Sequence, residues 1–237
     1  MLLGLRRTQA LLLKEGSRRP LVGVASLQLV LQAAVLTIAF ATGGRADNTP
    51  AATVSEHDLK AKIDYCQTCH GQSGQGFHGY YPIPRLAGQQ AEYFQNQLQA
   101  FVEHRRTNNI MFNVAHVLTP AMMTALAANF GALDPAPLGG GAKELMGAGK
   151  KIFEEGIPDS DIPPCASCHG PDAKGVGEFP RLAGQLPDYI LKKLTNFSAE
   201  RGQIPEKPDT SAIMQPIAHA LTEPQIKAVA AYLSSLD

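Results

Sequence analysis

Cys66-Gln67-Thr68-Cys69-His70 and Cys165-Ala166-Ser167-Cys168-His169 are two copies of one pattern, C-x-x-C-H, and together they use all 4 cysteines of the chain. The pattern is that of covalent c-type haem attachment. Two thiols three positions apart lie on one turn of chain and can each form a thioether to a vinyl-derived position of one porphyrin. The adjacent histidine then projects under the ring and offers a nitrogen to the iron. The spacing therefore predicts two haem c groups, attached through Cys66, Cys69, Cys165 and Cys168, with His70 and His169 as axial ligands.

Three other chemistries use paired cysteines. A zinc site would leave the following histidine in both copies as coincidence, and residues 70 to 164 form a longer spacer than a zinc-ribbon loop. A redox dithiol belongs at a strand-to-helix junction of a βαβ pattern, which is absent from this sequence. Two disulfides remain an alternative for an exported chain with an even cysteine count.

The 237 residues suit two domains of about 100 residues each, and 44% are hydrophobic, enough for packed cores. Trp is absent, with only 6 Tyr and 9 Phe, so a bound macrocycle would supply much of each core. The formal charge of zero averages two unlike parts. Residues 1–46 hold six Lys and Arg against Glu15, leaving 15 basic and 20 acidic residues beyond them. A net-acidic body excludes nucleic-acid binding by general electrostatics.

Residues 1–46 read as an export signal. A basic stretch ends at Arg18-Arg19, a mostly apolar segment follows from Leu21 to Thr42, and Gly44-Arg45-Ala46 gives a small-x-small cleavage site before Asp47. An uncleaved anchor is the alternative, since the apolar segment approaches the length of a membrane span. In both cases the cysteine motifs lie outside the cytoplasm, in the periplasm, and membrane contact would come only through the leader.

Beyond the leader the sequence repeats. Pro84-Arg85-Leu86-Ala87-Gly88-Gln89 is matched by Pro180-Arg181-Leu182-Ala183-Gly184-Gln185, and Tyr93, Phe101 and Arg105 correspond to Tyr189, Phe197 and Arg201 at the same offset. Ile110-Met111 and His116 recur as Ile213-Met214 and His219, and each half closes with an Ala-rich helix capped by Thr119 or Thr222. A period of about a hundred residues is duplication of a whole domain. The expected organisation is domain 1 over 47–134, a Pro/Gly-rich linker over 135–141 and domain 2 over 142–237. No run of alternating strand residues occurs, so the expected fold class is all-α, with two tandem domains.

The second axial ligand separates a carrier from a catalyst, because methionine closes the iron whereas an open position admits small molecules. Met111, Met122, Met123 and His116 are the first-half candidates. Only Met111 and His116 have counterparts, Met214 and His219. The methionines fall after Asn108-Asn109 and Thr210-Ser211-Ala212, read as irregular loops able to cross the far face of a haem. Met111 and Met214 are therefore the expected ligands, with the histidines as competitors. Arg85 and Arg181 are expected to pair with propionates or to lie exposed. Tyr93 and Tyr189 are expected on the haem edges.

With these residues the chain resembles dihaem cytochromes c of the cytochrome c4 family. That signature is C-x-x-C-H-G, then Pro-x-Leu-Ala-Gly-Gln, an axial Met and an Ala-rich last helix, all occurring twice from Ser55 to Leu236. The resemblance implies two class I cytochrome c domains related by a pseudo-twofold axis. It also implies single-electron relay among redox proteins (a quinol-oxidising complex, a dehydrogenase or a terminal oxidase), and no catalysis. Two departures stand out: the first half lacks a glycine-bearing helix like Gly147 to Phe153, and the second carries Gly202 to Pro208 as extra loop. Alternatives are the cytochrome subunit of a dehydrogenase complex, such as one oxidising sulfide through a flavoprotein, or a dihaem enzyme such as a peroxidase or thiosulfate dehydrogenase.

Overall fold

Ser55 opens the first helix, α1 (Glu56–His70), by accepting the Asp58 backbone N–H on its side-chain oxygen at 3.0 Å. The computed structural model describes residues 53–201 and 209–237. The leader expected over 1–46 and the loop expected over Gly202 to Pro208 lie outside these residues. α1 runs unbroken through both cysteines to His70 and stops at Gly71, whose φ of +85° favours glycine. Val54, Leu59 and Ile63 turn toward the core of this half, and α1, which contains no glycine, takes the place that the glycine-bearing helix has in the second half.

α2 (Ala91–Val102) buries Phe94, Leu98 and Phe101, a stripe at helical spacing. α3 (Asn109–Ala115) is short. α4 (Pro120–Gly131) starts on the Thr119 cap with proline in its first turn, and buries Met122, Met123, Leu126, Ala127 and Phe130. Stacked rings of Phe94 and Phe130, 5.8 Å apart, join α2 to α4.

The second half repeats this plan with one elaboration. A 3-10 turn, Lys143–Leu145, leads into α5 (Met146–Glu155), and the chain then loops through Gly156 to Pro164 before α6 (Ala166–His169) carries the second motif. α7 (Pro187–Thr195), the short α8 (Phe197–Glu200), α9 (Ser211–Ala220) and α10 (Glu223–Leu233) follow. A capping box of Thr222 and Gln225 starts α10. α5 lies hard against α10: a Cβ at Gly149 would sit 2.0 Å from the carbonyl oxygen of Ala228. Phe153, Ile152, Val229 and Leu233 fill the core around that crossing.

The described residues contain no strand, only isolated bridges at Phe77–Ile83, Ile157–Ile162 and Val176–Phe179, and the fold is all-α. The two halves meet through their Pro-Arg-Leu-Ala-Gly-Gln segments, which face each other about a pseudo-twofold axis. A Cβ at Gly88 would stand 3.1 Å from the Arg181 guanidinium, and one at Gly184 would stand 3.2 Å from that of Arg85. Backbone bonds also cross the boundary, from Thr107 N–H to the Glu200 carbonyl at 2.7 Å and from Tyr93 N–H to that of Gly177 at 3.2 Å.

Candidate haem sites

His70 and His169 end α1 and α6, and both are buried, with 8% of their surface exposed. His70 Nδ1 lies 2.9 Å from the carbonyl oxygen of Pro84, and His169 Nδ1 lies 3.0 Å from that of Pro180. A carbonyl can only accept, so each Nδ1 carries the proton and each Nε2 keeps its lone pair. Burial also pulls both imidazoles below their ordinary pKa, in favour of the neutral ring. A neutral imidazole oriented by a carbonyl is what an axial ligand requires.

The glycines after each histidine set this geometry. A Cβ at Gly76 would lie 2.4 Å from the Ile83 carbonyl oxygen, and one at Gly175 would lie 2.3 Å from that of Phe179. Their role is to let the post-motif loop pack against the proline loop. Gly76 and Gly175 also donate to the His70 and His169 carbonyls at 2.8 Å each, tying both loops to one turn of helix.

No disulfide joins the four cysteines. Burial pushes the Cys66 and Cys165 thiols up to about 11, opposite to the lowered values of reactive redox thiols. Neutral, half-buried sulfur suits a thioether. Cys66 opens onto a cleft of ≈ 210 Å³ that Tyr65, Val114, Val117 and Leu118 help to line. Among the described residues, no cluster of three or more His, Cys, Asp or Glu is placed to hold a metal ion.

Met111 and Met214 are both half-buried, and both sit on short helices, not in irregular loops as expected. Met111 is in the first turn of α3, where its backbone N–H is capped by Asn108 Oδ1 at 2.9 Å, and it packs against the first-half core. Met214 lies on α9, two residues before Pro216. Low local periodicity had hidden helices this short. Met122 and Met123 are core residues of α4. His116 is exposed, with Nδ1 3.0 Å from the Phe112 carbonyl oxygen and its ring stacked on Phe112; His219 is exposed on α9.

Arg85 and Arg181 are buried, with 4% and 6% of their surface exposed, which removes the exposed alternative. Both guanidiniums reach the single carboxylate of Asp134, at 3.5 and 3.6 Å. Arg85 Nη1 and Arg181 Nη2 nevertheless make no hydrogen bond. Two buried cations sharing one largely exposed carboxylate are under-neutralised, and Arg85 Nη1, with no hydrogen bond, together with Arg181 Nη2, held only by the long 3.6 Å contact to Asp134, fit the carboxylates of haem propionates.

Tyr93 and Tyr189 lie at the boundary between the halves. Their hydroxyls face arginines across the boundary, Tyr189 with Arg106 at 2.7 Å and Tyr93 with Arg201 at 3.4 Å. Arg106, not Arg105, is thus the counterpart of Arg201. One extra residue near His104, which adopts a positive φ of 58°, breaks the constant offset. Gln89 and Gln185, which no single-chain signal marked beyond their repetition, cross the boundary as well.

The cytochrome c family model matches residues 60–136 and 147–237. The chain belongs to the cytochrome c family. Cytochrome c-552 of Acidithiobacillus ferridurans is 43% identical over 177 residues, covering 72% of this cytochrome and 73% of that one. The thiosulfate dehydrogenase electron acceptor of Stutzerimonas stutzeri (strain A1501) is 36% identical over 221 residues, covering 92% and 94%. Among solved structures, Acidithiobacillus ferrooxidans cytochrome c4 superposes with a TM-score of 0.62 at 41% identity, covering 73% of this chain and 99% of that one. Within the family this is a dihaem cytochrome of the c4 type. It carries two covalently bound haem c groups and serves electron transport with redox protein partners, as a carrier and not an enzyme.

Proposed function

We propose that this cytochrome works outside the cytoplasm, relaying single electrons between periplasmic or membrane-bound partners towards a terminal oxidase. Cys66 and Cys69 would hold one haem and Cys165 and Cys168 the other. His70 with Met111, and His169 with Met214, would be the axial pairs. When bound, each haem supplies one-electron chemistry through its iron. The protein contributes fixed geometry. The Pro84 and Pro180 carbonyls orient the two imidazoles, and Met111 packs against the first-half core. Arg85 and Arg181 would meet the propionates.

One observation carries this reading: under each C-x-x-C-H motif a buried histidine bonds a proline carbonyl through Nδ1 and leaves Nε2 for metal. The test replaces Met111 and Met214 one at a time and records optical and magnetic spectra of the purified holoprotein. Each substitution should remove about half of the weak far-red sulfur-to-iron band. A variant retaining the whole band would overturn the assignment of its methionine.

The name of the Stutzerimonas relative, aligned over nearly the whole of both chains, favours a more specific donor, an enzyme that oxidises thiosulfate. Reduction of the purified cytochrome by such a dehydrogenase and its substrate, monitored in the visible haem bands, tests it. A rate no faster than with thiosulfate alone would remove that partner.

A further inference from the structure

The side chain of Gln185 makes a two-way bond with the backbone of Arg85 in the other half. Its Oε1 accepts Arg85 N–H at 2.9 Å and its Nε2 donates to the Arg85 carbonyl at 3.0 Å. Gln89 does the same to Arg181, at 2.8 and 3.2 Å. Each amide thereby pairs with one residue of foreign backbone as a neighbouring strand would. Both glutamines are buried, and each Oε1 also accepts the next backbone N–H of its own half, Leu186 at 3.1 Å and Gln90 at 2.9 Å. The side chains are therefore locked at both ends.

Arg85 and Arg181 directly follow Pro84 and Pro180, whose carbonyls accept from the two proximal histidines. A peptide unit is planar, so holding Arg85 N–H fixes the orientation of the Pro84 carbonyl in the same unit. We infer that Gln185 is a positioning residue for the haem ligand His70 of the opposite half, and Gln89 for His169, so that each half sets the iron potential of the other. This rests on the axial role assigned above to the histidines. A firm Nδ1–H···O=C bond makes the imidazole a stronger donor and favours ferric iron. A slackened one should raise the potential.

The test uses the full dihaem protein with Gln185→Met and Gln89→Met, which keep bulk but lose both hydrogen bonds. Potentials of the two haems are read separately, by redox titration under NMR. The signals come from the axial residues of each half, together with exchange of each histidine Nδ1–H. Gln185→Met should raise the potential of the first-half haem and speed exchange at His70, with the second-half haem unmoved; Gln89→Met should do the reverse. The shorter amides of Gln185→Asn and Gln89→Asn should give the same crossed pattern at smaller amplitude, and serve if the methionine variants fail to fold. A shift on the substituted half, an equal shift of both haems, or no shift with unchanged exchange would overturn the inference. Absence of any imidazole-bound iron signal in the parent protein would overturn the ligand assignment and the inference with it.

Discussion

Arg106 Nη2 donates to the Tyr189 hydroxyl at 2.7 Å, from one half of the molecule to the other. The guanidinium is buried, donates to Gln97 Oε1 at 2.9 Å, and lies over the Phe101 ring at 4.7 Å. Its counterpart Arg201 lies over Phe197 at 5.6 Å and reaches Tyr93 only at 3.4 Å. A neutral–charged hydrogen bond of good length contributes about 1.5–3 kcal/mol, and a stretched one less. Tyr189→Phe should therefore lower unfolding free energy by about 2 kcal/mol, and Tyr93→Phe by clearly less. Guanidinium unfolding of the holoprotein measures both, and equal losses would contradict the asymmetry.

Two glycines two positions apart in the sequence, Gly147 and Gly149, should respond with opposite signs. Nothing lies within 4 Å of a Cβ at Gly147, whereas one at Gly149 would meet Ala228 backbone at 2.0 Å. Gly147→Ala should stabilise by about 0.5–1 kcal/mol through helix propensity. Gly149→Ala must part α5 from α10 and should destabilise by about 1–3 kcal/mol or more. Thermal melts of the two variants, run side by side, distinguish these outcomes.

The sequence exposed what is periodic or chemically singular. The two C-x-x-C-H motifs, the Ser55, Thr119 and Thr222 caps and the Ala-rich last helices are all legible because each is a short-range signal. Met111 and Met214 were singled out by repetition, but their helices were not, since 7 and 10 residues show too few turns for a clear stripe. The least legible part was the boundary between the halves. Gln89, Gln185, Arg106 and Arg201 act on residues some 80 to 110 positions away, and one chain read alone carries no mark of such pairings. The repeated Pro-Arg-Leu-Ala-Gly-Gln segment looked like part of the haem surround. It is also a self-complementary contact, which is a second reason for the same six residues in both halves.

The start of α1 carries a small pH response. The Asp58 carboxyl is held below its ordinary value, first by the Ser55 hydroxyl and then by His57. The unfolded chain therefore takes up this proton at higher pH than the folded one. The contribution is complete above about pH 4 and is lost as pH falls through the lowered folded value. Ser55→Ala should move Asp58 back towards the ordinary range in an NMR titration. The stability gap between parent and variant should narrow on acidification, and a gap that widens would show the sign to be wrong.

The shared carboxylate at the boundary gives the last prediction. Burial pushes the Arg85 guanidinium down from its usual range, Arg181 adds to that effect, and Asp134 and Asp237 oppose it. A buried cation near a redox centre favours the reduced, less positive form. Arg85→Met, which leaves the backbone partners of Gln185 in place, should therefore lower the potential by an amount on the order of tens of millivolts at an effective dielectric of about 20. Asp134→Asn removes a negative charge from the same cluster and should raise it. Asp134 is 72% exposed, so solvent screens its charge and the rise should be the smaller of the two. Voltammetry of both variants at fixed ionic strength decides the point. Shifts of the same sign, or a larger response to Asp134 than to Arg85, would mean that the arginines do not face the redox centres as buried cations.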